Sequence, residues 1–168
     1  VSIALLMGCV YTARTSNKVA KNNTKVAKIH VQLGLALLEL NNVSQAKQKF
    51  LQAKNEAPRE PSVWYGLGYF LERTGEVKAA EQHYRIAIDL HCTEGASRNN
   101  YAIFICRQGR YQEAFNEFNK AVNDARYLQS AQAFVNASIC ASKIPDRQLA
   151  EAYFKKALEK DSTLDNAV

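Results

Sequence analysis

One spacing recurs through this chain, and only a helical hairpin satisfies it. From Pro61 to Leu90, Trp64, Leu67, Gly68 and Leu71 follow at three- and four-residue steps, and Ala80, Tyr84 and Ala87 then do the same. Residues at those steps share one face of an α-helix, so the stretch predicts two helices with the turn at Gly75 and Glu76. Gly68 lies on the buried face, where the missing side chain lets the second helix approach. Ala80, Tyr84 and Ala87 give the returning helix a small, large, small stripe. A single hairpin cannot bury both faces of its helices, so copies are required.

The copies are present. One starts at Ala27 with His30, Leu33, Gly34 and Leu37, then Ala46, Phe50, Ala53 and Pro58. The next starts at Pro61, with Cys92 where a closing proline would stand. The third starts at Gly95 with Arg98, Tyr101, Ala102 and Ile105, turns at Gly109, and continues through Ala114, Phe118 and Ala121. The starts at 27, 61 and 95 keep a period of 34, the length and pattern of the tetratricopeptide repeat. A fourth copy, with Phe134, Ala137, Ser138 and Ala141, then Ala150, Phe154 and Ala157, starts at Ala131 and needs two extra residues between Arg126 and Ser130. Added length between helices costs little. Pro145 and Asp146 form its turn. The sequence therefore predicts an all-α fold, a right-handed superhelical solenoid of antiparallel hairpins with about four repeats over residues 27–168. The tail after Lys160 reads as the approach to a fifth repeat, and a solenoid needs capped ends. Further residues are expected beyond the C-terminus.

The net charge of +6 raises nucleic acid as a partner, and its distribution argues against one. Arg14, Lys18, Lys21, Lys25 and Lys28 stand without an acid among them, whereas the 17 later Lys and Arg nearly cancel 16 Asp and Glu. The basic character belongs to the lead into the repeats. That lead opens VSIALLMGC without an initial Met, so it reads as the end of something longer. Leu6, Met7, Gly8 and Cys9 resemble the lipobox of bacterial lipoproteins, which makes residues 1–8 the remnant of a signal peptide and Cys9 the lipidated residue. The apolar run falls well short of the roughly 20 residues a membrane span needs. The alternative is the frayed end of a core helix. Residues 9–26, polar and Lys-rich, read as a linker that gains helix toward its end. Its bases would lie on anionic headgroups or simply be solvated.

Nothing in the sequence asks for catalysis, a cofactor or a small-molecule substrate. His30, His83 and His91 lack metal-ligand spacing, and no phosphate-cradling glycine loop is present. Cys106 and Cys140 fall late in the first helices of the third and fourth repeats, which run side by side. The two thiols can meet there as a disulfide if the protein is exported, or remain as small buried apolar groups. Cys92 has no evident partner.

First helices line the concave side of such an array. Frame position assigns to that lining Lys28, Val31, Leu35 and Leu38 from the first repeat and Tyr65, Tyr69 and Glu72 from the second. From the third come Asn99, Ile103 and Arg107, and from the fourth Gln132, Val135, Ile139 and Lys143. Tyr65, Tyr69, Asn99, Ile103, Arg107, Gln132 and Val135 form the candidate partner-binding groove, because aromatics with Arg and Asn supply area and hydrogen bonds at low entropic cost. Ordinary packing between helices is the competing explanation. Val31 and Leu35 stand where chaperone-binding repeats carry a carboxylate clamp, so that clamp is not formed.

The stretches NNYAIFICRQGRYQEA from Asn99, ARYLQSAQAFVNASIC from Ala125 and LAEAYFKKAL from Leu149 resemble the PilF/PilW family of type IV pilus proteins. In that family an Asn-Asn-Tyr with a Phe three residues later opens a repeat, and a longer connection follows it. The resemblance implies a non-enzymatic lipoprotein on the periplasmic face of the bacterial outer membrane. It also implies partners in the pilus secretin or other assembly proteins, a membrane contact through the lipid anchor alone, and a role in secretin localisation, secretin multimerisation or pilus stability. Six-repeat members imply that about two repeats lie outside this sequence. A repeat scaffold for another envelope or secretion complex would share the lipobox and the periodicity, and only the NNYxxF resemblance argues against it.

Overall fold

The computed structural model describes the backbone of residues 4–90 and 94–161 and the side chains of residues 20–90 and 95–161. Eight helices follow in order: α1 (Ala4–Glu39), α2 (Val43–Glu56), α3 (Pro61–Arg73), α4 (Val77–Asp89), α5 (Glu94–Arg107), α6 (Tyr111–Val122), α7 (Ser130–Ala141) and α8 (Arg147–Lys160). No strand occurs among the described residues. Each odd-numbered helix pairs with the next even one, and touches the odd-numbered helices before and after it. Among the described residues the even-numbered helices do not touch one another. This is the tetratricopeptide-repeat solenoid.

The period is written into the turns. Asn41, Gly75 and Gly109 have positive φ of 58°, 88° and 77°. After each, a backbone N–H reaches back five residues to close the helix end: Asn42 to Leu37 at 2.8 Å, Glu76 to Leu71 at 2.8 Å and Arg110 to Ile105 at 3.1 Å. This is the left-handed helix stop that glycine makes readily and asparagine tolerates. The fourth hairpin has Pro145 in that place. Fixed near −65°, proline cannot adopt it, so the chain turns through short bonds at Lys143 and Ile144, and Asp146 caps α8 by accepting from the Leu149 N–H at 2.9 Å.

The small, large, small stripe forms the core. Ala46, Phe50 and Ala53, then Ala80, Tyr84 and Ala87, then Ala114, Phe118 and Ala121 are all buried. In the last hairpin Tyr153 is buried against Phe115 and Phe134, at centroid distances of 5.6 and 6.5 Å. Phe154 is only half-buried. Two expectations are corrected. Leu33 is 42% exposed, whereas the equivalent Leu67 and Tyr101 are 7% and 3% exposed. That position packs a first helix on its predecessor, and α1 has none among the described residues. The backbone of residues 9–26, read as a linker that gains helix toward its end, is helical throughout and continuous with the first repeat. Once α1 is nucleated by packing, extending it through Lys- and Ala-containing sequence without proline is cheap. No described helix is long and apolar enough to cross a membrane. The Cys9 side chain and the whole of His91 and Cys92 lie outside the described residues.

Candidate protein-binding groove

The first helices bring the predicted groove residues into two groups. In the first, Tyr65 and Tyr69 stack one turn apart on α3 with centroids 6.4 Å apart, and Tyr65 also packs on Tyr84 at 6.0 Å. Burial pushes the Tyr65 phenol above its ordinary pKa, with the neighbouring Tyr69 adding to the shift. The Tyr69 hydroxyl donates to Glu39 on α1 at 2.9 Å, and Arg73 donates to the same carboxylate at 3.2 Å. Arg107 on α5 makes a forked pair with Glu72, Nε to Oε1 at 2.6 Å and Nη2 to Oε2 at 2.7 Å. The buried Tyr84 hydroxyl donates to the same carboxylate at 3.1 Å. The guanidinium of Arg107 also lies 5.9 Å from the centre of the Tyr69 ring. Tyr69 is thus held between charges on three successive first helices.

The second group joins α5 to α7. Asn99 is buried and accepts from the Asn136 amide at 3.1 Å, and Gln132 reaches Asn136 at 3.4 Å. Ile103 and Val135 are half-buried against the core, and Gln132 is exposed. Asn99 therefore spends its side chain on the contact between helices. Val31 and Leu38, assigned to the concave lining, are buried in the first core cluster, and Leu35 packs partly buried against it. Cys106 and Cys140 come together beside this group as a disulfide pair with Cα atoms 6.0 Å apart, within the span such a bond requires.

Frame reading missed Glu39 and Arg73. They occupy the same place in the period as Arg107, which is the signal that would have found them. It also missed an ionic cluster between α4 and α6. Glu81 accepts from Arg110 at 2.8 and 3.1 Å, from Arg85 at 2.9 Å and from the Tyr101 hydroxyl at 2.7 Å. Arg110 also reaches Glu113 at 2.7 Å. The Arg110 hydrogen bonds, opposed by partial burial and joined by those from Arg85 and Tyr101, hold the Glu81 carboxyl down at about 2, from an ordinary 4.5. A carboxylate depressed in the folded state contributes stability that is complete above the unfolded pKa and is lost as pH falls through the folded one. Glu81→Gln should accordingly be less stable than the parent at neutral pH, and the gap should close between about pH 4.5 and 2. Acid titrations of both proteins in fixed urea, followed by circular dichroism, read this directly.

His30 stands where the second repeat has Trp64, with Nδ1 3.2 Å from Glu56 Oε2. His83 lies against Trp64, at a centroid distance of 5.4 Å. Among the described residues no three His, Cys, Asp or Glu side chains are grouped to hold a metal ion.

Comparison with known proteins places these features. A tetratricopeptide-repeat model matches residues 31–97. An uncharacterised protein of Haemophilus influenzae is 26% identical over 96% of this chain and 89% of its own length. The type IV pilus assembly protein PilF of Pseudomonas aeruginosa is 29% identical over 91% of this chain and 61% of its own. The solved structure of PilF superposes with a TM-score of 0.70 at 26% identity, covering 84% of this chain and 64% of that one. PilW, described as a widely conserved type IV pilus biogenesis factor, superposes with a TM-score of 0.67 at 27% identity, covering 80% and 61%. The chain thus spans less than two thirds of the pilus proteins it resembles.

Proposed function

From the premise that the chain is a PilF/PilW-like tetratricopeptide-repeat protein, we propose that it is a protein-binding scaffold in type IV pilus biogenesis, held at the outer membrane by acyl chains on Cys9. The similarity to PilF, which runs through nine tenths of the chain, carries this reading. The Leu-Met-Gly-Cys run supports the anchor, because two or more acyl chains suffice to hold a protein stably at a bilayer. In this reading residues 1–8 are signal remnant, 9–26 connect the anchor to the array, and 27–168 form the repeat domain. The oxidising periplasm keeps Cys106 and Cys140 bonded. The partner is the pilus secretin or a neighbouring assembly protein, and the scaffold helps the secretin reach the outer membrane and multimerise.

Of the groove residues Arg107 and Gln132 are exposed, and Tyr69 is half-buried with its hydroxyl at the surface. Deletion of the gene should abolish surface pili and secretin multimers, and complementation with a Tyr69→Ala, Arg107→Ala, Gln132→Ala variant that keeps its helicity should restore neither fully. Immunoblots of unheated outer membranes and counts of surface pili read both. Normal pili and multimers in the deletion strain would refute the pilus assignment and favour a scaffold for another envelope complex.

A further inference from the structure

We propose that the recess between α5 and α7 receives an extended segment of a partner protein that presents an aliphatic side chain next to an aspartate or glutamate. This rests on the scaffold reading above and assigns the chemistry of what the scaffold holds. Two independent features support it: the shape and lining of the recess, and a cation at the end of a ladder of ion pairs that has no carboxylate of its own.

The recess encloses about 240 Å³. Its walls are Ile103, Phe118, Ile139 and the Cys106–Cys140 pair, with Arg107, Asn136 and Lys143 also lining it. Ile139 is 56% exposed, and Val135 and Asn136, one turn back on the same face of α7, are half-buried. An exposed branched aliphatic beside a cavity of this size leaves room for one more apolar side chain, whose burial is favourable by area alone. Side chains on an extended segment alternate between faces, so one aliphatic residue can enter while its neighbour turns to the rim.

The charge argument comes from the period. At or just past the end of each first helix after α1 stands a cation: Arg73, Arg107 and, beyond the two-residue insertion, Lys143. The preceding first helix answers the first two, Glu39 pairing with Arg73 at 3.2 Å and Glu72 with Arg107 at 2.6 Å. One period on from Glu72 stands Cys106, which is occupied with Cys140, and one period on from Arg73 stands Arg107, itself a cation. The third repeat therefore offers Lys143 no carboxylate, and Lys143 makes no ion pair among the described residues. A carboxylate arriving with the partner completes the ladder at the place where the apolar recess begins. A side-chain carboxylate suits this place better than a chain terminus, because Lys143 is a single point charge and Arg107 is already matched by Glu72.

The test uses capped hexapeptides, Gly-Ser-Leu-Glu-Ser-Gly, its Gln counterpart and its Lys counterpart, titrated against the whole chain by amide-resolved NMR. The Glu peptide should move the amides of Ile103, Ile139 and Lys143, and bind about fivefold more tightly than the Gln peptide, the ratio expected of an exposed ion pair near the upper end of its range. Lys143→Glu should reverse the order, so that the Lys peptide binds best. The proposal is overturned if the Glu and Gln peptides bind the parent equally, if shifts centre on Tyr65 and Tyr69, or if no peptide binds. It is equally overturned if an uncapped peptide ending in Leu binds as well as the Glu peptide, which would point to a chain terminus. Pilus display in the deletion strain is scored separately. Lost pili with no peptide preference would leave the scaffold reading standing and remove this one. Unchanged pili with the predicted preference would remove the pilus assignment and leave this proposal standing for a scaffold of another complex.

Discussion

Replacing Phe50 by Ala should cost about 3–5 kcal/mol, the range for emptying an aromatic site in a packed core. Phe50 is fully buried, and its ring occupies the slot between the first two repeats rather than a place within one of them. A Cβ built on Gly34 would stand 2.8 Å from Phe50 Cε1, and one built on Gly66 would stand 2.7 Å from the same atom. The ring thus touches the backbone of both α1 and α3, at distances only glycine permits. Gly66→Ala in the parent should therefore destabilise by about 1–3 kcal/mol through overpacking. In the Phe50→Ala background the same methyl enters vacated space, so its cost should fall or change sign. Chemical denaturation of the four proteins of that cycle, with m-values checked because repeat arrays can unfold in parts, gives a coupling of about 0.5–3 kcal/mol if the ring is wedged as described. Additive effects would mean that α1 and α3 separate to admit the methyl.

Gly66 also shows where sequence reading stops. The hairpin starts, the buried Phe50, Tyr84 and Phe118, and the turns at Gly75 and Gly109 were legible because each follows from a period of apolar, small or turn-forming residues. Gly66 lies within the second repeat beside Gly68, but nothing in its neighbours along the chain indicates that it meets a ring on another helix. Asn41 adopts the same left-handed turn as the two glycines, but in a polar stretch only its distance of one period from Gly75 marks it. The groove was less legible than the core. Frame position placed Tyr69 and Arg107 on the inner side, but it could not see that Glu39 and Glu72 reach them from the preceding helix. Ion pairs across hairpins depend on the angle between repeats, and a period carries no angle. Asn99 shows the same limit: its place in the frame is that of a groove residue, and its burial against Asn136 follows from how closely α5 and α7 approach.

That approach is what the second large prediction measures. Cys106 and Cys140 close a loop with a sequence separation of 34, and restricting the unfolded chain by a loop of this size corresponds to about 3–4 kcal/mol. Protein prepared from an oxidising compartment should lose stability of that order on reduction, whereas a Cys106→Ala, Cys140→Ala variant should match the reduced parent and ignore the reductant. The Ala pair is the useful control because a buried thiol packs as a small apolar group, so both forms lack the cross-link while keeping an apolar site. The loss should also be uneven. In a solenoid each repeat is stabilised mainly by its neighbours, and the cross-link joins the first helices of the last two described hairpins. Reduction should therefore raise amide exchange in α7 and α8 far more than in α1 to α3, whose core clusters around Phe50, Val63 and Leu67. Two titratable thiols in protein recovered from an oxidising compartment would show instead that the helices reach this spacing without the bond. The 6.0 Å between their Cα atoms would then reflect packing of Ala133, Ala137 and Phe104 alone.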